Sequence, residues 1–301
     1  MSYSFKLTGE KVFLDVIANA DESILKLQTD GCRIIKLSFP EFFNICHVIG
    51  YKPSDQDLFT LFVRNNAFVN LTENEKVPSI IVLESYKDPY TAFRLLDTLK
   101  LYKPLDIYSC HSVNYIYTND TVKFGGYGKV LNIIPEHTFV LSERYSLNPE
   151  EAARFPAWYS LHHKMVSKRK VNAIFANTIT FYIRSFSIPD PSASFLMLMI
   201  VLEMIFCSEN VELSYRIKRG CSYFLSSNRE EMENLLQRIA ALYNARSKYV
   251  HKGESVKLEL LYELREITRK VLVTMFDRNM YTEEFSFKKF REDLTYCGYE
   301  K

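Results

Sequence analysis

The last third of the chain carries four helical sequence patterns in direct succession, and this run constrains the fold more than any other feature. The first pattern, Phe195–Phe206, is apolar apart from Glu203 and too short to span a bilayer, so it predicts a buried helix. The second pattern places its apolar residues on one helical face. These residues are Leu213, Ile217, Gly220, Cys221 and Phe224.

The third pattern has recognisable ends as well as an apolar face. It begins at Asn228, with Glu231 three residues later as a capping-box partner, and it ends at Gly253, a residue type favoured directly after a helix. The fourth pattern spans residues 255 to 276. Amphipathic helices joined by short loops bury their apolar faces against one another. The sequence therefore predicts a four-helix bundle between residues 191 and 290.

The first half of the chain has a different character, with short runs of β-branched and aromatic residues separated by turn-forming clusters. The runs that predict strands are 11–18, 32–39, 58–63, 79–83, 107–118, 129–134 and 137–142. The spacing of apolar residues predicts one helix between residues 89 and 102. We expect an α+β protein, with a mixed α/β domain of unknown role over residues 1–148 and an all-helical region over residues 149–301.

One glycine-rich segment, Phe124–Lys129, invites comparison with a phosphate-binding loop. It lacks the first glycine of that motif, and Val130 stands where a serine or threonine would bind magnesium. We interpret the segment as a hairpin turn.

Composition and charge narrow the classes of function. Lys and Arg number 38 and Asp and Glu number 36, and a net charge of +2 does not predict strong nonspecific binding of nucleic acid. The six cysteines are widely scattered, which predicts free thiols rather than a metal site, and no cofactor is expected. The apolar stretch Val12–Ala18 is short and interrupted by Asp15, unlike a signal peptide. We expect a cytoplasmic protein without membrane contact.

The third helical pattern ends with the residues that point to a function. Residues 242–253 read Leu-Tyr-Asn-Ala-Arg-Ser-Lys-Tyr-Val-His-Lys-Gly, which places Arg246 five positions before His251. Together with Leu202-Glu203 in the first pattern, this stretch resembles the signature of the HEPN family, in particular its Apea-like branch. In that signature a Tyr-x-x-Arg-Ser stretch leads to a histidine near a glycine. The resemblance covers only the C-terminal part of the chain, about residues 191–290.

The resemblance implies a homodimer in which two copies of the motif face each other across a shared cleft, with single-stranded RNA as the substrate. Many members of the family are metal-independent ribonucleases, in which the 2′-hydroxyl of the RNA is the nucleophile. By that resemblance Arg246 and His251 are the catalytic pair. The residue types suit the chemistry, because a histidine titrates near neutral pH and an arginine binds phosphate oxygens with a planar fork. The family often serves in defence, toxin or stress responses.

The spacing of the pair has a geometric consequence. Five residues correspond to roughly 500° of helical rotation, so Arg246 and His251 lie roughly 140° apart on an ideal helix. They converge only if the helix ends near His251, as Gly253 indicates, or if a second subunit completes the site. The alternative interpretation is that both residues stabilise the helix end through its dipole.

Three further residues are assigned supporting roles. Glu203 either orients Arg246, as the resemblance implies, or forms a structural ion pair or lies at the solvent edge. Tyr243 either stacks on a base or packs in the core or at a dimer interface. Ser247 follows the arginine at a position where nucleases of the family often carry asparagine, aspartate or histidine. Its hydroxyl could donate to a phosphate but could not replace a titrating group.

A small basic patch, Lys168, Arg169 and Lys170, lies on a predicted helix, and together with Lys248 it is assigned to contacts with an RNA backbone. A solvated helix face is the alternative. The leading hypothesis is thus an HEPN-type RNA-binding protein that acts as a metal-independent endoribonuclease. The rival is a noncatalytic HEPN module that dimerises or binds a nucleotide or an unknown protein partner.

Overall fold

The computed structural model describes residues 11–29, 31–52, 79–86, 88, 90–118, 121–128, 144–167, 171–208 and 212–296. The chain divides into two compact units, Met1–His163 and Lys164–Lys301. The first unit combines a β-sheet with helices, and the described residues of the second unit form helices and their connections. The class is therefore α+β, as the sequence predicts.

The first unit is built on a six-stranded sheet in which every neighbouring pair of strands is antiparallel. The strands are β1 (Lys11–Ala18), β2 (Gln28–Thr29), β3 (Cys32–Ser38), β4 (Ser79–Tyr86), β5 (Tyr108–Thr118) and β6 (Thr121–Gly128). Their spatial order is β2-β3-β4-β1-β5-β6, so β1 lies between two strands that come much later in the chain. The predicted strands at β1, β3, β4 and β5 are confirmed. Those predicted at 58–63, 129–134 and 137–142 lie outside the described residues.

Helices cover both faces of this sheet. They are a 3-10 helix (Glu22–Lys26), α1 (Phe39–Ile49), α2 (Tyr90–Tyr102) and α3 (Pro149–His162). Successive side chains of a strand point to opposite faces. Val12 and Leu14 therefore pack in one buried cluster with Phe42 of α1, whereas Ile17 packs in a second cluster with Leu96 of α2. The unit has an apolar layer on each side of the sheet.

Helix α1 is not among the predicted elements. Strand β3 runs directly into it, because Ser38 is both the last residue of the strand and the helix N-cap. The Ser38 hydroxyl accepts from the Glu41 N–H, and the Glu41 carboxylate accepts from the Ser38 N–H at 2.8 Å. Loss of such a cap costs about 1 kcal/mol. Gly50 ends the helix in the left-handed conformation, with a φ of 79°.

The glycine-rich segment Phe124–Lys129 is not a hairpin turn, and that prediction is wrong. Gly125 and Gly126 lie within β6, which pairs with β5. The reason is the side chain of Asn114, whose amide donates to Gly126 O at 2.9 Å. A Cβ on Gly125 would collide with Oδ1 of the same asparagine, and Gly126 has a φ of 138°. The two glycines thus make room for the Asn114 side chain of the neighbouring strand at a bulge, and they do not form a turn.

The second unit is helical. Its helices are α4 (Lys164–Ser167), α5 (Ala173–Ser185), α6 (Pro191–Phe206), α7 (Leu213–Leu225), α8 (Arg229–Lys252), α9 (Leu258–Asp277) and α10 (Phe287–Tyr296). Helices α6 to α9 lie at the four predicted positions, and no strand occurs among the described residues of this unit. Two flanking helices, α5 and α10, also contact α6.

Helix α6 is the centre of the second unit, in contact with α5, α7, α8, α9 and α10. Its sequence is apolar on all sides, which is typical of a helix buried all round. Leu198, Leu202 and Ile205 are fully buried, and truncation of such a leucine to alanine costs about 2–5 kcal/mol. The predicted buried helix is confirmed, and Glu203 is the one ionisable residue on it. Among the described helices, none combines the length and apolarity needed to cross a bilayer.

The boundary between the units falls later than the sequence predicts. The prediction placed it at residue 148, where helical patterns begin. Helix α3 nevertheless belongs to the first unit, because Phe155 is buried in the cluster beneath α2 and the Tyr102 hydroxyl donates to Glu151 O at 2.8 Å. A change of secondary structure does not coincide with a change of unit here.

Candidate functional site

Helix α8 begins and ends where the sequence predicts. At its start the Asn228 side chain accepts from the Glu231 N–H at 2.9 Å. At its end Gly253 adopts a φ of 70° and donates its N–H to Tyr249 O. The helix therefore runs unbroken through the motif of residues 242–252.

Because the helix is regular through the motif, Arg246 and His251 keep the separation of roughly 140° that an α-helix gives them. The helix end does not bring them together, since His251 and Lys252 are still helical. The two side chains differ in environment accordingly: Arg246 is mostly buried and His251 is exposed. One protomer alone does not direct both side chains at a common point.

Arg246 continues the buried row of α8. Residues seven apart lie almost on one line along a helix, and Met232, Ile239 and Arg246 have this spacing. Met232 and Ile239 are buried, so the same face turns the arginine side chain inward. Its Nε atom is buried and has no hydrogen-bond acceptor. The spacing of the buried apolar residues on α8 thus sets the position of the Arg246 guanidinium.

The inward-facing guanidinium meets the carboxylate of α6. Arg246 Nη2 lies 3.4 Å from Glu203 Oε1, and the two side chains are 20% and 19% exposed. Charge-assisted hydrogen bonds are usually shorter, about 2.7–2.9 Å. Burial raises the pKa of Glu203, and the charge of Arg246 opposes that rise without cancelling it. The pair is consistent with either the orienting or the structural role predicted for Glu203.

Tyr243 lies one helical turn before Arg246. The guanidinium carbon is 5.7 Å from the centre of its ring, which is within cation–π range. The tyrosine is half-buried, so its ring supports the arginine from the side while part of the ring still faces solvent. The geometry brings Glu203, Tyr243 and Arg246 together as one cluster.

His251 stands apart from this cluster. It is exposed, and within the described part of the chain its side chain makes no hydrogen bond or ion pair. Its neighbour Val250 is 46% exposed. Ser247 is half-buried, and Lys248 is exposed with its Nζ 3.8 Å from a carboxylate oxygen of Glu254. The described residues of the protomer supply no group that orients the histidine.

Tyr249 was not singled out by the sequence patterns, yet it ties the motif to α6. Its hydroxyl donates to Asp190 Oδ2 at 3.3 Å, and Asp190 is the N-cap of α6. Nearby, the Val256 N–H donates to Ser192 Oγ at 2.9 Å. The sequence does contain a signal for this contact. Tyr249 lies seven residues after the buried Leu242 and therefore on the same face of the helix.

Lys168, Arg169 and Lys170 lie outside the described residues. A cleft of about 490 Å³ lies at the other end of α8, and its lining combines acidic residues such as Glu230 with basic ones such as Arg238. Among the described residues, no group of three or more His, Cys, Asp or Glu is arranged so that it could hold a metal ion.

Comparison of the chain with protein-family models, with curated proteins and with solved structures gives no match. The chemistry of the site is accordingly derived from its own side chains on α6 and α8.

Proposed function

We propose that the second unit is an HEPN-like domain that binds single-stranded RNA and cleaves it without a metal ion, in a site completed by a second copy of the chain. The observation that supports this proposal is a mostly buried arginine held against Glu203, with an exposed histidine five residues later on the same helix. These are the residue types that the transfer of a phosphoryl group to an internal hydroxyl requires.

In the proposed reaction the 2′-hydroxyl of the RNA attacks the adjacent phosphorus and the bond to the 5′-oxygen breaks. His251 transfers protons, because an imidazole titrates near neutral pH. Arg246 stabilises the charge on the phosphorane oxygens. A guanidinium has five N–H donors, and Arg246 uses one of them in a single long contact with Glu203, so donors remain for phosphate. The products carry a 2′,3′-cyclic phosphate and a 5′-hydroxyl.

A second copy of the chain would bring one Arg246 side chain together with one His251 side chain. Within one α8 they point roughly 140° apart, so a histidine from one protomer would act with an arginine from its partner. Two-fold dimers are the commonest closed assemblies. The exposed Val250 beside His251 provides an apolar contact for such an interface.

One observation favours a noncatalytic HEPN module that dimerises or binds a nucleotide or another protein. His251 has no orienting partner in the described part of its own protomer, and Ser247 cannot titrate. Positioned acid–base groups usually have such a partner. The same residues would then serve binding alone.

The deciding experiment is a cleavage assay on single-stranded RNA in EDTA, with wild type, His251→Ala and Arg246→Ala. We expect His251→Ala to lower the rate by about 10²–10⁴, the usual contribution of a positioned acid–base group. Lys252→Ala is the matched control for a charge lost from the same exposed helix end, and it should retain activity. Replacement of the 2′-hydroxyl by hydrogen should abolish cleavage.

Light scattering and thermal melts accompany the assay. The expected result is a dimer, with the α8 ends near its two-fold axis, and melts in which both variants are folded at the temperature of the assay. Cleavage that survives both substitutions would assign the chemistry to other residues. An inactive wild-type dimer would leave the binding module as the function.

A further inference from the structure

A second cationic site lies where α7 and α10 meet the end of α6. A small cleft of about 30 Å³ opens there, which suits a water-sized or single oxyanion group rather than a large organic ligand. Its walls are Phe206, Glu212, Tyr215, Arg216, Arg219, Gly220, Arg291 and Leu294. Three guanidinium groups face one carboxylate, so the cleft is positively charged.

Arg216 is the most available of the three cations. Its Nη1 donates to Ser208 Oγ at 3.2 Å, and its Nε is buried without an acceptor. Within the described residues no carboxylate pairs with it, although Glu212 lines the same cleft. Packing rather than an ion pair therefore holds this guanidinium in place. Among the described residues, most of its N–H donors make no hydrogen bond.

Arg219 and Tyr215 add an aromatic surface to the cleft. Arg219 Nη1 donates to the Tyr215 hydroxyl at 2.7 Å, and its guanidinium carbon lies 5.9 Å from the ring centre. The Tyr215 side chain is 48% exposed, so one part of the ring faces solvent. An exposed ring beside arginines is the arrangement on which single-stranded nucleic acids stack their bases.

Arg291 has a fixed structural position that still contributes charge. It donates from Nε to Ile205 O at 3.2 Å, which caps carbonyls left free at the end of α6. Burial lowers the pKa of Arg291, in keeping with a guanidinium drawn in against the helix end. It is therefore a part of the wall, whereas Arg216 presents donors to a ligand.

This cleft and the Arg246–Glu203 cluster flank the same end of α6. Cys207 follows Glu203 by one turn and donates its N–H to Glu203 O at 2.9 Å. Burial is the main cause that raises the pKa of the Cys207 thiol to about 11, with Glu203 adding to the rise and the charges of Arg216 and Arg291 opposing it. Glu203 of the cluster and Phe206 of the cleft wall are about one helical turn apart on α6, so the two sites are adjacent along this helix.

We propose that the cleft is a subsite for the backbone of single-stranded RNA, with a phosphate on Arg216 and the neighbouring base stacked on Tyr215. The subsite rests on the RNA-binding part of the proposed function and extends it beyond the scissile phosphate. The strand would pass from Arg246 around the end of α6 to Tyr215.

The test measures binding apart from cleavage, with a fluorescent 2′-O-methyl oligoribonucleotide that has no free 2′-hydroxyl to react. Arg216→Gln should weaken binding about fivefold to tenfold at low salt and lower the slope of log affinity against log salt by about one. Tyr215→Ala should weaken binding by a similar factor without a change of slope, and Tyr215→Phe should bind like wild type. Arg229→Gln removes an equal charge from the far end of α8 and should have no effect. Arg216→Lys keeps the charge. It replaces Arg216→Gln as the test of the site if Arg216→Gln does not melt like wild type.

The outcomes separate this subsite from the nuclease. If the wild type does not cleave RNA but the Arg216 and Tyr215 variants lose affinity as expected, the subsite stands and only the catalytic proposal fails. If the wild type does not bind the oligonucleotide, or binds it equally well in all variants, the subsite is overturned. If inorganic phosphate binds at Arg216 while Tyr215→Ala leaves oligonucleotide affinity unchanged, the cleft is a free-anion site and the RNA assignment is overturned.

Discussion

Each unit contains an arginine–glutamate pair, and the two pairs are built differently. In the sheet, Arg33 donates through Nε and Nη2 to both carboxylate oxygens of Glu84, at 2.9 and 3.0 Å. Glu84 is completely buried. In the helical unit, Arg246 reaches Glu203 through one contact of 3.4 Å, and both side chains remain about one-fifth exposed. The first arginine uses its planar fork fully on one carboxylate, and the second does not.

The difference distinguishes an ion pair that stabilises the fold from an ion pair whose arginine can also bind another anion. A buried carboxylate depends on its partner, because removal of the cation leaves a charge in a low-dielectric interior. A pair with one long contact and some solvent exposure depends less on its partner, and the remaining guanidinium donors can bind another anion. By this criterion Arg33 stabilises the fold, and Arg246 keeps donors for the ligand that we propose.

The largest expected effect is on catalysis. Arg246→Ala should lower the rate of RNA cleavage by about 10²–10³, the usual loss when a donor to a developing oxyanion is removed. The same change should lower the free energy of unfolding by about 1–2 kcal/mol, less than the loss of the fully buried pair, because Glu203 keeps some contact with solvent. Single-turnover cleavage and a thermal melt on the same preparation give both values. A large loss of stability with cleavage intact would reverse the roles assigned to the two pairs.

The second effect belongs to the sheet. Arg33→Ala should destabilise the first unit by about 3 kcal/mol, at the low end for a broken buried pair because Arg33 itself is 39% exposed. Trp158 of α3 is the only tryptophan in the chain, so its fluorescence during urea unfolding reports on this unit. Lys36→Ala, on the same strand, is the control and should cost less than about 1 kcal/mol. Equal effects of the two substitutions would contradict a special role for the Glu84 pair.

The third effect concerns a carboxylate with hydroxyl partners. Asp15 of β1 is buried, and burial raises its pKa from 3.8 to about 6, although hydrogen bonds from Ser112 and Ser109 oppose the rise. Between these two pH values the folded state holds a proton that the unfolded state has released. The contribution of Asp15 to stability is therefore fully present below pH 3.8 and is lost as the pH rises to about 6.

Replacement of this acid by an amide should stabilise the first unit at neutral pH. A shift of two pKa units corresponds to about 3 kcal/mol, and the cost of burying the amide offsets part of it, so we expect Asp15→Asn to gain about 1–3 kcal/mol at pH 7.5. The gain should vanish near pH 4. Urea titrations followed by Trp158 fluorescence at both pH values provide the measurement. A gain independent of pH would show that the charge on Asp15 is not its source.

The smallest effect is on RNA affinity. Glu203→Gln removes the anion that competes with phosphate for Arg246, and it should tighten binding of the uncleavable oligonucleotide about twofold to fivefold, equivalent to less than about 1 kcal/mol. Fluorescence anisotropy measures the change, and Glu263→Gln on α9, whose partner is Arg238, is the control. Weaker binding of Glu203→Gln would mean that the carboxylate orients the arginine for RNA rather than competing with it.

Much of the helical unit could be predicted because its signals are local. Asn228, Glu231 and Gly253 mark the two ends of α8 through hydrogen bonds within a few residues, and the apolar run of α6 needs no partner to be recognised. The inward orientation of Arg246 follows from its spacing to Ile239. Its encounter with Glu203 is a contact across 43 residues, and spacing alone does not decide between an ion pair and a solvent-exposed acid.

The incorrect or missed predictions concern sequence patterns that are compatible with two different local structures. Ser38 and Glu41 form a capping box directly after a strand, so a β-rich run conceals the start of α1. The glycines of β6 are the residues of a turn, but here they make room for Asn114 of the neighbouring strand. The cationic cleft at Arg216 could have been noticed from the sequence at 215–219, where one tyrosine is followed by three basic residues within four positions. Its completion by α10, some 70 residues later, depends on tertiary packing.

The interior position of β1 has a consequence for the order in which the chain acquires structure during its synthesis. Val12 pairs with Tyr86 on one side and Lys11 with Ile116 on the other, so the strand keeps at least one open edge until both later strands have been made. The helices of the second unit pack largely against neighbours close in sequence, and contacts of that kind form fastest. The later of the two units is then the quicker to fold. A nascent chain halted before β5 has been made would present an apolar strand with an open edge to its surroundings, and such an edge is prone to pair with other chains.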